Sequence, residues 1–330
     1  MPKKRDRSFI ERGFISAGIV ALVILTAVII FLQVQFFANI ESGEQSETSD
    51  TQASSISQGS STTFMVGDRK SYVYGRETTL TSNDKLSGNG REKVPLVIFL
   101  HGTGGDPQEQ AIDSGWSEQA EKSNIVVVSP EYNDVATYTE VDYIVDVINR
   151  ASELYPIDTN RVYSVGFSNG GATSVALAAR HPELISGIAA YGWQVDLLNP
   201  QQGYEIPFQV IQGSQESTRY DYDKNPMVRS DTAQSIRGLL LYNSMIDSNV
   251  QPDYKQTPYW GYIPNDSQTD MVDGVNWTIN NYRKKQYRQP FAQLILIDGA
   301  DHRVNAHEAY YSWEFLKEFE RDDSGKIVAR

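Results

Sequence analysis

The chain of 330 residues contains no cysteine, which excludes a disulfide, a thiolate nucleophile and any cysteine-ligated zinc or iron-sulfur site, whatever the compartment. Histidine is scarce as well. Only His101, His181, His302 and His307 occur, with no His-Glu-x-x-His pattern, so nothing supports a catalytic metal. Positive charge is thin: 29 Lys and Arg stand against 42 Asp and Glu, a formal net charge of -13, and beyond the N-terminus the basic residues are scattered. A nucleic-acid surface needs them clustered, so no nucleic-acid partner is expected. The sequence also lacks Gly-x-x-x-x-Gly-Lys-Ser/Thr and any Gly-x-Gly-x-x-Gly opening a helix, the two common phosphate cradles. Chemistry here must rest on oxygen and imidazole, with no cofactor.

One long hydrophobic run is present. Phe14 to Leu32 is almost wholly apolar, and no charge appears between Arg12 and Glu41. As a helix the run is about 28 Å long, close to the thickness of a bilayer core. Lys3, Lys4, Arg5, Arg7 and Arg12 precede it and outweigh Asp6 and Glu11, which keeps the N-terminus cytoplasmic and sends the rest outward. A cleaved signal peptide is the alternative, giving a secreted protein. The length of the run and the bulky Phe36 at the -3 position of the best cleavage candidate favour an uncleaved anchor. Residues 41–62 are nearly all Ser, Thr, Gln, Glu, Asp and Gly, too polar to bury a core, and act as a linker. The expected organisation is a cytoplasmic basic segment (1–13), a transmembrane signal anchor (14–38), a disordered polar linker (39–63) and one catalytic domain (64–330) in an extracytoplasmic position.

Within that domain, Phe64 to Leu80 alternates apolar and polar groups and is predicted to form an antiparallel edge hairpin. Val94–Leu100 is a continuous apolar run with the character of a strand covered on both faces, and Ile125–Ser129, Ile185–Ala190, Phe208–Ile211 and Phe291–Ile297 are expected to be further buried strands. Helical periods separate them, over about 111–122, 138–154 and 307–321, and this alternation specifies parallel βαβ units in a three-layer sandwich. Residues 216–289 form a longer insertion with a helix near 233–246 and an aromatic cluster of Tyr254, Tyr259, Trp260, Tyr262, Trp277 and Tyr282. Those rings either line a substrate pocket or form the insertion's own small core.

The chain is organised around Arg161 to Gly171. A β-rich run ends there in Gly166-Phe167-Ser168-Asn169-Gly170 and passes directly into a helix-forming segment. This is the strand, sharp turn and helix that present a nucleophilic serine at a strand's end. Serine is a poor nucleophile until a base takes its proton, and imidazole is the usual base. In this architecture the acid and then the histidine follow the serine in sequence, so His101 and His181 come too early. His302, directly after the last strand, is the candidate base, whereas His307 opens the closing helix and is expected to point away. The acid should follow the strand Phe208–Ile211, where Glu216 is the first carboxylate and Asp221 and Asp223 are alternatives. Two backbone donors must hold the oxyanion that forms when the serine attacks a carbonyl. The amides of Asn169 and of Thr103, in the glycine-rich His101–Gly105 loop, are the candidates.

His101-Gly102-Thr103-Gly104-Gly105, Gly166 to Gly171 and Asp301-His302 together resemble the polyhydroxybutyrate depolymerase and feruloyl esterase group of α/β-hydrolases. The likeness extends to Gly67–Tyr72, Ser114-Gly115-Trp116 and Tyr155–Tyr163, and so spans about residues 65–320. It implies an α/β-hydrolase three-layer sandwich with a mostly parallel sheet, here preceded by one transmembrane helix, and hydrolysis of small or polymeric carboxylic esters through an acyl-enzyme without cofactor. Two departures stand out. The family's usual aspartate after the seventh strand is matched by Glu216, and its Trp-Pro after the histidine by Arg303-Val304. A serine peptidase or acyltransferase would use the same residues, and a non-catalytic binding protein could retain the same scaffold.

Overall fold

In this computed structural model the described residues are 61–81, 92–135, 137–192, 197–216, 220–221 and 225–330, without the side chains of 220–232. The predicted anchor (14–38) lies outside them, as does nearly all of the linker. Among the described residues no helix is long and apolar enough to cross a membrane. The first hairpin begins at Ser61, which pairs with Tyr74.

The elements in order are β1 (Ser61–Val66), β2 (Arg69–Tyr74), α1 (Glu77–Leu80), β3 (Val94–Leu100), α2 (Pro107–Asp113), α3 (Trp116–Ser123), β4 (Val126–Pro130), α4 (Val141–Leu154), β5 (Ile157–Phe167), α5 (Asn169–Arg180), β6 (Gly187–Tyr191) and β7 (Phe208–Gly213). They continue with β8 (Tyr220–Asp221), β9 (Asn225–Arg229), α6 (Ser230–Tyr242), β10 (Asp266–Val272), β11 (Val275–Tyr282), β12 (Ala292–Ile297), α7 (Glu308–Leu316), β13 (Phe319–Arg321) and β14 (Ile327–Ala329). Ten strands form one sheet in the order β1-β2-β4-β3-β5-β6-β7-β12-β11-β10. The six central strands are mutually parallel, and antiparallel hairpins flank them on both sides.

The all-apolar β3 shows why the sheet needs cover on both faces. Successive side chains point to opposite sides of a strand. Leu96, Ile98 and Leu100 accordingly enter one core with residues of α4, α5 and α6, while Val97 and Phe99 enter the other with Trp116 of α3 and Trp313 of α7. All seven residues of β3 are buried, and truncating Ile98 to alanine would cost about 2–5 kcal/mol. Helix α4 buries Val141, Ile144, Val147, Ile148 and Ala151, and Val145 packs against the same core from its edge.

Three local departures from the sequence reading have clear causes. The helix expected over 111–122 is two helices, because Gly115 adopts φ 83° and turns the chain between them. The closing helix ends at Leu316, and the remaining residues form the β13–β14 hairpin around a turn at Asp322–Gly325. The insertion adds strands to the main sheet: β10 and β11 extend it beyond β12, with the turn at Asp273-Gly274, both residues at positive φ.

The aromatic cluster divides accordingly. Trp260, Tyr262 and Tyr282 are buried in the first core, and Tyr282 pairs with Ala292 at the amino end of β12. That is the end of the sheet opposite Ser168, so these rings form core and do not line a pocket beside that residue. Trp277 lies in the second core, stacked on Tyr311 at 4.8 Å.

Candidate active site

The carboxyl ends of β3, β5, β6, β7 and β12 lie at one edge of the sheet, and in open parallel sheets that edge is where ligands bind. Ser168 follows β5 at once, with φ 52° and ψ -121°, a conformation that L-residues with a Cβ rarely adopt. The turn is held by Ser168 N–H donating to Tyr191 O at 2.8 Å and by Ala172 N–H donating to Ser168 O at 3.1 Å, which starts α5. Space sets the flanking glycines: a Cβ on Gly166 or Gly170 would collide with the backbone carbonyl of Leu100. The sharp turn therefore requires glycine on both sides of the serine, and it leaves the hydroxyl projecting from the sheet edge.

His302 arrives from the loop after β12 and Glu216 from the loop after β7. His302 Nε2 lies 2.9 Å from Ser168 Oγ, and His302 Nδ1 lies 2.9 Å from Glu216 Oε2. The carboxylate is fixed from behind, since Gly213 N–H donates to Glu216 Oε1 at 2.8 Å. The imidazole packs against the Phe167 ring, tilted by 33° with centroids 4.7 Å apart. Glu216 is almost wholly buried and His302 about one-third exposed, so the acid is shielded while the imidazole edge reaches the solvent side. Structure thus brings together the three residues that sequence order pairs. Asp223 and the side chain of Asp221 lie outside the described residues. His307, as expected, points elsewhere: its Nε2 meets Asp273 Oδ2 at 2.7 Å.

Thr103 and Asn169 also meet, the Asn169 side-chain amide donating to Thr103 Oγ1. Neighbouring amides in the glycine-rich loop are committed to protein acceptors: Gly102 N–H to Gln110 Oε1 at 2.8 Å, Gly104 N–H to Asp134 Oδ2 at 2.6 Å and Gly105 N–H to Gly102 O at 2.9 Å. Asn169 is the first residue of α5, where backbone N–H groups have no intrahelical acceptor and the helix dipole favours negative charge. His101, which begins the loop, is buried beneath it and its pKa is lowered by desolvation. Its ring hydrogen-bonds Gly102 O at 2.9 Å through Nδ1, and the Tyr132 hydroxyl donates to His101 O at 2.7 Å. That makes His101 a brace for the loop.

Two contributors escape a reading of the sequence. Gly192, at the carboxyl end of β6, has φ 73°, and a Cβ there would lie 2.9 Å from His302 Nδ1 and Cε1 and 3.0 Å from Glu216 Oε2. The histidine–acid pair occupies the space that only a glycine leaves open. Glu308, in the first turn of α7, is a buried carboxyl whose pKa is pushed well above the ordinary range, by burial first and by the charge of Glu216 in addition. A glycine directly after a buried strand was the only available signal for the first, and a glutamate at a helix start gives none for the second. Among the described residues no group of three or more His, Asp or Glu side chains is placed to hold a metal ion.

The chain belongs to the alpha/beta hydrolase fold family, whose model matches residues 95–327. Among characterised proteins it is similar to the bifunctional acetylxylan esterase/xylanase of Neocallimastix patriciarum, 31% identical over 103 residues that make up 29% of this chain and 15% of that one. It is also similar to the poly(3-hydroxybutyrate) depolymerase of Ralstonia pickettii, 29% identical over 119 residues, 29% of this chain and 24% of the other. The matched regions span between 15 and 38% of the length of such relatives. In three dimensions the acetyl xylan esterase of Aspergillus awamori superposes with a TM-score of 0.52 at 16% identity, over 78% of this chain and 99% of that one, a likeness of fold.

Proposed function

We propose that the protein is a serine carboxylic-ester hydrolase that works through an acyl-enzyme. The observation that carries this reading is the unbroken hydrogen-bond chain from Ser168 Oγ through His302 to Glu216, two links of 2.9 Å each, at the carboxyl edge of the sheet. In the first half-reaction Ser168 Oγ attacks the ester carbonyl carbon while His302 Nε2 takes its proton. The carbonyl oxygen becomes an oxyanion held by the backbone amides of Thr103 and Asn169, donors worth about 3–4 kcal/mol each where one has been removed elsewhere. The tetrahedral intermediate collapses, the C–O bond to the alcohol breaks, and His302 returns the proton to the departing oxygen. Water then repeats the sequence on the acyl-serine: His302 takes a proton from water, the acid leaves, and Ser168 regains its hydrogen. Glu216 fixes the tautomer with the proton on Nδ1 and stabilises the imidazolium that forms twice per turnover.

The substrate class in this proposal is a carboxylic ester, and the esterase names of the relatives support it. The enzyme is further proposed to be held outside the cytoplasmic membrane by the segment 14–38, on the strength of its unbroken apolar run and the basic residues before it. Turnover of p-nitrophenyl acetate tests the chemistry: the purified chain is expected to hydrolyse it, with loss of at least about 10³-fold in Ser168→Ala. Equal activity in that variant would refute the proposal. Protease added to intact cells should remove the hydrolase domain, and its survival would refute the topology.

A further inference from the structure

Behind the acid lies a cavity of about 300 Å3 lined by Gln212, Gly213, Glu216, Ala300 and Glu308. Among the described residues its buried polar groups do not balance through protein atoms alone. Gln212 is 1% exposed and, among the described residues, neither its Nε2 nor its Oε1 has a protein partner; Glu308 is 3% exposed and its Oε2 likewise has none among them. Glu216 has the complementary deficit. A carboxylate offers about four acceptor sites, and this one, 3% exposed, receives Gly213 N–H on Oε1 and faces His302 Nδ1 with Oε2. Those two contacts, the ones found among the described residues, use about half of a carboxylate's acceptor sites, and a buried charge gains from filling the rest. Unused donors and unused acceptors thus line the same space, which is large enough for several water molecules at about 30 Å3 each.

We infer that Gln212 and Glu308 are positioning residues for the acid: through water in this cavity they donate hydrogen bonds to the Glu216 carboxylate and hold its charge against His302. The inference rests on the proposed triad. Burial pushes the Glu308 carboxyl well above the usual carboxylate range, opposed by a hydrogen bond from the Asn305 backbone and reinforced by the nearby charge of Glu216, which favours the form with an O–H to give. A metal ion would satisfy the unpartnered oxygens and leave the Gln212 N–H groups without an acceptor; water serves both. The other charged or titratable groups around Glu308 are already engaged. Asp301 and Arg303 pair with each other at the cavity's mouth, His307 pairs with Asp273, and the Tyr191 hydroxyl donates to Ser312.

The test compares Glu308→Leu with Glu308→Gln. Leucine fills similar volume but donates nothing, and a less solvated Glu216 makes the surroundings of His302 more negative. The acid limb of kcat/KM is then expected to move up by about one pH unit, roughly a tenfold loss at a fixed pH on that limb, with KM unchanged. Glutamine keeps a donor and should leave the limb in its wild-type position. If Glu308 served packing alone, leucine would leave the limb unmoved and stability equal or higher. Gln212→Leu carries the same expectation as Glu308→Leu and decides the matter if the latter does not fold. A wild-type limb in the leucine variants, or a glutamine variant displaced as far as leucine, overturns the inference. Labelling of wild-type Ser168 by a fluorophosphonate separates the two layers: an unlabelled protein refutes the triad and this inference with it, whereas a labelled one with unmoved limbs refutes only the inference.

Discussion

Gly192→Ala tests the account at the point where it depends most on geometry. The added methyl would sit 2.9 Å from His302 Nδ1 and Cε1 and 3.0 Å from Glu216 Oε2. Carbon atoms prefer roughly 3.5 Å or more, so the imidazole and the carboxylate must retreat by about 0.5 Å, and both links of the hydrogen-bond chain lengthen. Misplacement of about 1 Å in an active site costs on the order of 10²-fold, so this smaller shift should lower kcat by about 10- to 100-fold. Because Gly192 has φ 73°, alanine also adds backbone strain of about 1–2 kcal/mol. In a domain of this size that is a fall in Tm of roughly 2–8 °C. Steady-state kinetics with p-nitrophenyl acetate and a thermal melt separate the effects: the protein should remain folded, KM should change little and kcat should fall. An alanine variant with wild-type kcat would refute the reasoning, since it would mean that the His302–Glu216 pair is not confined as described.

Other expectations follow from the same geometry. Glu216→Gln should lose roughly 10³- to 10⁴-fold in turnover while remaining folded, because an amide no longer fixes the histidine tautomer; Asp221→Asn and Asp223→Asn should lose less than about tenfold, and the reverse pattern would reassign the acid. Removing His302 should abolish the rise of kcat/KM with pH, whereas His307→Ala, whose ring serves Asp273, should keep both that rise and activity within about threefold of wild type. Glu308 has a folded-state pKa raised above its unfolded value by burial, so the folded protein binds the extra proton and stability declines as pH rises from about 4.5 toward the raised value. Melts across that window should show Glu308→Gln gaining on wild type by at most about 1.4 kcal/mol per pH unit; a constant difference would contradict the buried neutral acid.

Much of this was legible in the sequence because burial and local chemistry coincide there. Val94–Leu100 is apolar at every position because both faces of β3 are covered, and Gly166-Phe167-Ser168-Asn169-Gly170 carries its own strand and helix. The placement of Glu216 and His302 followed from chain order alone, since each parallel strand delivers its following loop to the same edge. The β10–β11 hairpin is not legible in the sequence, because Asp266–Val272 is an outer strand whose side chains face mostly solvent and give no alternating pattern. Its one clue was the Asp273-Gly274 turn. Gly115 hid the break between α2 and α3 because a lone glycine in a helical period is tolerated as often as it terminates. The demands on Gly192 and the cavity at Glu308 are tertiary in origin: residues more than 80 positions apart meet there, and no local pattern encodes the meeting.

The central claim is that Ser168 is an activated nucleophile driven by His302. Its most direct measurement is covalent labelling with a fluorophosphonate, read by intact mass and by mapping the modified peptide. The account predicts stoichiometric modification of wild type at Ser168, none in Ser168→Ala, and labelling slowed by at least about 10³-fold in His302→Ala. Wild-type protein that stays unmodified, or modification at the same rate without His302, would contradict it.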